Sequence, residues 1–258
     1  MSPWRPGEAG FPPTAGAGFP PTAGAGLPPT GGAGLPAGER IYAIGDIHGC
    51  LDKLRALHAV VRADLRAHPI ARPLLLHLGD LIDKGPDSAG VVRYLMALTD
   101  LPAIHLMGNH EDTALAALAG EGAACADWLA FGGGTALRSW GLDPGGPRAA
   151  WRLPEAEHAW LQALRPHHAA GGYVFVHAGL RPGVPLAEQT LEDKLRIRRP
   201  FLDSAADWGA MVVHGHTPTR SRLPERHANR INLDTGAVYG GPLTCGVFEG
   251  DRMSFLAV

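Results

Sequence analysis

Apolar residues in this chain gather into short runs, and each run stops abruptly at polar residues. RIYAIGDIHG (40–49) runs apolar and then reaches Asp46 and His48. LLLHLGD (74–80) ends in Asp80, AIHLMGNHE (103–111) in Asn109, His110 and Glu111, YVFVHAG (173–179) in His177, and AMVVHGHT (210–217) in His214 and His216. Their length and their apolar or β-branched content predict buried strands, with a glycine at or near each end. Between the early runs the spacing changes to that of helices. Leu51, Leu54, Leu57, Val61 and Leu65 share one helical face, as do Val91, Val92, Leu95 and Leu98. Alternating strands and helices imply βαβ units and a largely parallel sheet. Later, INLDTGAVYGG (231–241), LTCGVFEG and RMSFLAV read as a terminal β-meander.

The first 38 residues follow another rule. From Ala9 the sequence AGFPPTAG repeats with a period of eight and decays to AGLPAG before residue 39. Proline favours extended backbone and glycine loosens it, and one Phe or Leu per repeat buries too little surface to offset ordering. The expected organisation is a disordered Pro/Gly-rich tail over 1–38 and one catalytic domain over 39–258.

Composition removes several alternatives. The 258 residues carry a net charge of -2, so no basic field favours a nucleic-acid partner. No apolar run approaches the ~20 residues that span a bilayer, and no apolar leader follows the N-terminus, so a cytoplasmic protein without a membrane partner is expected. Three scattered cysteines suggest reduced thiols rather than a disulfide framework. Monomer is the default expectation.

Ligands beyond parallel strands lie at the carboxyl ends of those strands, so the five polar endings should meet on one rim. A single Gly-Asp is ordinary turn chemistry; five such endings in order are not. Asp, Asn and His offer the oxygen and imidazole donors that suit Mn, Fe or Zn. Asp46, His48, Asp80, Asn109, His177 and His216 exceed the needs of one ion. Two ions about 3.5–4 Å apart would use all six, with Asp80 the natural bridge. His77 and His105, inside apolar runs, read as core histidines with partners. His58 and His68 read as solvated, and Glu111 as a helix cap. Gly132-Gly133-Gly134 reads as a helix break bordering the substrate groove. His214 could face the same way as His216.

The ordered set GDIHG, GDLIDKG, GNHE, HAG and HGHTP resembles the phosphoprotein phosphatase family of metallophosphoesterases, over roughly residues 40–245. Its nearest likeness is to compact bacterial serine/threonine phosphatases similar to the phage lambda enzyme. The resemblance implies an α/β (four-layer α+β) fold, with a central β-sandwich of two mixed sheets flanked by helices. It also implies two divalent metals, Mn first and Fe or Zn as alternatives. One would be held by Asp46, His48 and Asp80, the other by Asp80, Asn109, His177 and His216. A bridging water, its pKa lowered toward about 7, would attack phosphorus directly. His110 matches the general acid and Asp83 the carboxylate that orients it. Lys84 stands where the family has arginine and would grip the phosphate without a bidentate fork. Arg198, with Arg199 as rival, matches a second phosphate-binding arginine, and Tyr239 a tyrosine near the site. The implied substrate is a phosphoprotein or phosphopeptide; the alternative is symmetrical bis(5'-nucleosyl)-tetraphosphate hydrolysis or another small phosphoester. The tetraphosphatase family usually lacks the counterpart of Asp83, which favours the first.

Overall fold

The computed structural model describes residues 34–258. Two five-stranded sheets pack face to face with helices outside them. In the first sheet, β1 (Glu39–Ile44), β2 (Arg72–His77) and β3 (Ala103–His105) run parallel. In the second, β4 (His167–Ala170) is antiparallel to β5 (Tyr173–Val176), which runs parallel to β6 (Met211–His214). There β7 (Glu225–Arg226) and β8 (Arg230–Asn232) complete the sheet, with β8 parallel to β6 and β7 antiparallel at the edge. The hairpin of β9 (Thr244–Glu249) and β10 (Arg252–Ala257) returns to the first sheet, where β9 lies antiparallel to β1.

The expected mixed-sheet sandwich is therefore present, and two details differ from the strand pattern. The sheets are not largely parallel, because each closes with antiparallel strands. The expected meander is also divided. Residues 230–232 join the second sheet, residues 233–243 form a loop, and only the last two runs make a hairpin, in the first sheet.

Alternation of side chains in β1 explains the layers. Ile41 and Ala43 face the inter-sheet core with Leu76, Phe175, Val213, Ile231 and Phe248. Tyr42 and Ile44 point the other way, onto α1 (Leu51–Ala67) and α2 (Ser88–Met96). Those helices bury the faces read from the sequence, including Leu54, Leu57, Val61, Val91 and Val92. Asp87 caps α2 by accepting the Gly90 N–H at 2.7 Å. Beyond β3 follow α3 (Asn109–Leu118), α4 (Gly122–Trp128), α5 (Gly134–Ser139) and α6 (Glu155–Gln162). Later come α7 (Leu191–Arg196) and α8 (Arg199–Leu202). Most of the repeat segment lies outside the described residues. Within residues 34–38, Leu35 is buried in the inter-sheet core and its N–H donates to Gly250 O at 2.9 Å. All three cysteines are free. No helix among the described residues is long and apolar enough to cross a membrane.

Behind the first sheet lies a chain of buried rings. His105 Nδ1 meets His77 Nδ1 at 3.0 Å, His77 Nε2 meets His58 Nε2 at 3.1 Å, and His58 Nδ1 meets the Tyr94 hydroxyl at 3.1 Å. The partners expected for His77 and His105 are each other and His58. His58 is a correction to the solvated reading, since α1 turns it into this core at 1% exposure. Trp160 packs on His105, and Arg62 stands beside Tyr94. Burial holds His58 and His105 down to about 4, and His77 well below its ordinary value. The folded chain keeps these rings neutral, whereas the unfolded chain takes up protons near pH 6.5. Their contribution is complete above that pH and is lost as pH falls toward 4. Denaturation between these limits should give an unfolding free energy that falls with acidity. His105→Phe should flatten that slope by up to about 1.4 kcal/mol per pH unit. An unchanged slope would count against the ring chain as its source.

Candidate active site

Six parallel strands from the two sheets end on one rim, and each delivers a polar side chain there. β1 leads to Asp46 and His48, β2 to Asp80, Asp83 and Lys84, and β3 to Asn109 and His110. From the second sheet, β5 leads to His177, β6 to His216 and β8 to Asp234. Backbone bonds fasten the rim. Ile47 and His48 N–H donate to Asp80 O at 3.1 and 2.8 Å, and Gly215 N–H donates to His177 O at 2.8 Å.

The turns are tight enough to force unusual backbone. His48, Asp80, Asp83, Lys84 and His216 all have φ between 46° and 72°, the left-handed region that costs a non-glycine residue about 1–3 kcal/mol. What offsets this at Asp80 is Glu111. Its carboxylate accepts the N–H groups of Leu81 at 2.7 Å, Gly108 at 2.9 Å, Asp80 at 3.0 Å and Ile82 at 3.1 Å. Burial and Asp80 push Glu111 up to about 7; even at the roughly 0.5–1.5 kcal/mol of an ordinary hydrogen bond, the three that go to the turn match the strain of one residue. Glu111 thus caps α3 through Gly108, as expected, and also holds the Asp80 turn. The approach is so close that a Cβ on Gly108 would lie 2.2 Å from Asp80 Oδ1, and one on Gly215 would lie 2.0 Å from Asp46 Oδ1.

Asp80 is the centre of the side-chain array. Its Oδ1 lies 3.3 Å from His177 Nε2, and its Oδ2 lies 3.4 Å from His48 Nε2 and 3.8 Å from His110 Nε2. Two groups of potential metal donors share it. One contains His48, Asp80 and His110, the other Asp80, His177 and His216. Asn109 Oδ1 adds to the second, 2.8 Å from His216 Nδ1 and 3.1 Å from His177 Nε2. Asp46 stands beside them, its carboxylate accepting the His216 N–H at 3.1 and 3.2 Å.

The donor chemistry fits divalent cations. His48 Nδ1 and His177 Nδ1 donate to the carbonyls of Ile82 and Leu78 at 2.9 and 3.0 Å, leaving each Nε2 lone pair aimed inward. Burial holds His48 down to about 3 and also lowers His177 and His216, so all three rings are neutral near pH 7. Burial pushes Asp46 and Asp234 up; Asp234 and Asp80 raise Asp46 further, and Asp80 raises Asp234. Three carboxylates, Asp46, Asp80 and Asp234, are each at most 3% exposed here. Gathering them without water calls for positive charge, which a cation pair supplies.

Other expected residues surround this centre. His110 Nδ1 meets Asp83 Oδ2 at 2.7 Å. Burial would lower His110, but Asp80 and Asp83 outweigh it and its pKa is raised. Lys84 Nζ reaches His48 Nε2 at 2.8 Å and sits 5.6 Å from the centroid of the exposed Tyr239 ring. The Tyr239 loop is tied to α1 by Lys53 Nζ, which donates to Gly241 O at 2.5 Å and Ala237 O at 2.8 Å. Arg198 Nε donates to His216 Nε2 at 3.2 Å, whereas Arg199 is exposed beside Asp203. Of the two, Arg198 is the one beside a donor group. His214 is in neither donor group; it is buried edge-on against Phe201, 5.0 Å away. The glycine run kinks the chain between α4 and α5, with Gly132 at φ 111°, and Gly132 O receives the Lys84 N–H at 3.3 Å. Asp234 escaped the sequence reading. Its signal was the same as the others, an apolar run ending in Asp before glycine, but the run had been taken as part of a meander.

The sequence profile of the calcineurin-like phosphoesterases matches residues 39–241, which hold every donor named above. The chain belongs to this family. It is therefore a metallophosphoesterase, an enzyme hydrolysing phosphate esters in a family that uses a dinuclear divalent metal centre. Serine/threonine-protein phosphatase 1 of Salmonella typhimurium is 32% identical over 217 residues, covering 79% of this chain and 89% of that protein. The asymmetrical bis(5'-nucleosyl)-tetraphosphatase PrpE of Anoxybacillus flavithermus is 29% identical over 230 residues, covering 78% and 87%. Among solved structures, a candidate diadenosine tetraphosphatase superposes with a TM-score of 0.59 at 26% identity, covering 90% of this chain and 96% of its own.

Because Glu111 alone accepts three buried amides of the Asp80 turn and that of Gly108, Glu111→Ala should destabilise the fold by at least about 3 kcal/mol in chemical denaturation. A loss under about 1 kcal/mol would mean the turn holds itself.

Proposed function

We propose that this metallophosphoesterase is a phosphomonoesterase acting on phosphoserine and phosphothreonine in proteins. The observation that carries the reading is the buried Asp83–His110 pair, joined at 2.7 Å with the far ring nitrogen turned toward the donor centre. A serine or threonine alkoxide is a poor leaving group and needs a proton as it departs. A nucleoside phosphate leaves as a stable anion and has less use for an acid. Asp83 accepts from His110 Nδ1, and the Asp80 and Asp83 carboxylates raise the ring's pKa, so the imidazolium they favour carries its second proton on Nε2, facing a leaving oxygen.

Two divalent ions, Mn foremost, held by Asp46, His48 and Asp80 and by Asp80, Asn109, His177 and His216, would supply an activated water and neutralise phosphoryl oxygens. The remaining roles fall to this chain's own cations. Lys84 beside His48 and Arg198 beside His216 flank the centre, one next to each donor group, where both can hold outer phosphoryl oxygens. Tyr239 covers Lys84 from the solvent side. The resemblance to the Salmonella phosphatase over most of both chains supports the protein substrate. The relatives named as tetraphosphatases make dinucleoside tetraphosphate the second substrate to test.

With Mn added, kcat/KM should be higher for a phosphoserine peptide than for diadenosine tetraphosphate, and p-nitrophenyl phosphate should also turn over. Faster hydrolysis of the dinucleotide would overturn the protein-phosphatase reading. Lys84→Arg should lower KM for the phosphopeptide about fivefold, the equivalent of roughly 1 kcal/mol from a bidentate grip. An unchanged or higher KM would remove Lys84 from the phosphate clamp.

A further inference from the structure

The acid pair has a third member that lies outside the five motifs GDIHG, GDLIDKG, GNHE, HAG and HGHTP. Trp128, the last residue of α4, is fully buried, and its indole N–H points at the Asp83 carboxylate. Nε1 lies 2.9 Å from Asp83 Oδ1 and 3.1 Å from Oδ2. An indole N–H can only donate, so the carboxylate edge facing it must accept. Asp83 therefore receives hydrogen bonds from two sides, Trp128 on one and His110 Nδ1 on the other.

Asp83 needs such support. Asp83 and Lys84 are consecutive left-handed residues at φ 72° and 62°, a conformation that persists only when its surroundings impose it. Carboxylate rotation about its last torsion is broad and weakly restrained, so a single partner would leave the plane of Asp83 loosely defined. The segment that begins at Trp128 and the start of α2 supply the other constraints. Gly132 O receives the Lys84 N–H, and Ser88 Oγ, from α2, receives the Asp83 N–H at 2.9 Å. Gly132 has φ 111°, and a Cβ there would sit 2.7 Å from Lys84 N; one on Gly133 would sit 2.5 Å from the Trp128 indole. Trp128 is itself braced edge-on by Trp151, 5.9 Å away. The kink at Gly132 between α4 and α5 places the glycine carbonyl on Lys84 and leaves the indole on Asp83, two consecutive residues of one loop.

We propose that Trp128 is a positioning residue for phosphate-ester cleavage, its indole N–H fixing the Asp83 carboxylate so that His110 is held in line with the leaving oxygen. The inference rests on His110 acting as the acid, and it is independent of which ester is the natural substrate. A group that acts through the acid matters in proportion to the leaving group's need for a proton. A tryptophan that only fills the core affects all substrates alike.

The test compares wild type and Trp128→Phe on phenyl phosphate, whose leaving group needs protonation, and on dinitrophenyl phosphate, whose leaving group does not. Trp128→Phe should lower kcat for phenyl phosphate roughly ten- to a hundred-fold with little change in KM. The loss on phenyl phosphate should be at least about tenfold larger than that on dinitrophenyl phosphate. Equal losses on the two esters, or no loss on either, would overturn the proposal. Should Trp128→Phe fail to fold, benzothienylalanine at position 128 keeps the shape and lacks only the N–H, and the same ratio decides. Failure of the wild type to hydrolyse phosphoserine peptide would sink the substrate reading alone, since neither aryl ester depends on it.

Discussion

The structure depends on holding Asp80 in a left-handed turn at the end of β2. From that position one carboxylate comes within 4 Å of rings delivered by both sheets, His48 and His110 from the first and His177 from the second. An extended backbone there would carry the side chain along the strand instead of across the rim. Glu111 makes the turn affordable by giving four of its surrounding amides a carboxyl acceptor away from water. The strand order, the glycine at position 108 and the start of α3 all serve that one placement.

Once Asp80 is fixed, the chemistry around it follows from burial. Carboxylates crowd together where water cannot screen them, and neutral imidazoles turn their lone pairs among them. Such an array is costly alone and favourable with cations, so the energetics of the fold and of metal binding are linked. Positive side chains from outside the donor groups, Lys84 and Arg198, sit where an anionic ester would meet the pair. His110 is tied back to Asp83 through Nδ1 while its Nε2 faces Asp80 at 3.8 Å.

Much of this was legible in the sequence because it is local. An apolar run ending in Gly-Asp or Gly-Asn-His marks a strand and a candidate ligand together, and five such endings hold the six candidate metal donors that the structure brings to one rim. What stayed hidden depends on partners distant in the chain. Nothing in LTCGVFEG says that β9 pairs with β1 rather than with the strand before it. His58 lies on a face that reads as half polar, and only the histidines of β2 and β3 make it a core residue. β4 and β7 are short and polar, and they become strands through edge pairing alone. Trp128 and Asp83 are 45 residues apart, and no spacing rule connects them.

The central claim is that Asp80 is shared by two ions. Metal-free protein loaded with Mn should bind two ions per chain by mass spectrometry of the metal content, with an exchange-coupled Mn pair in its electron paramagnetic resonance spectrum. Asp80→Asn should lose that coupling while the chain remains folded. One ion per chain, two uncoupled ions, or coupling that survives in Asp80→Asn would contradict the account.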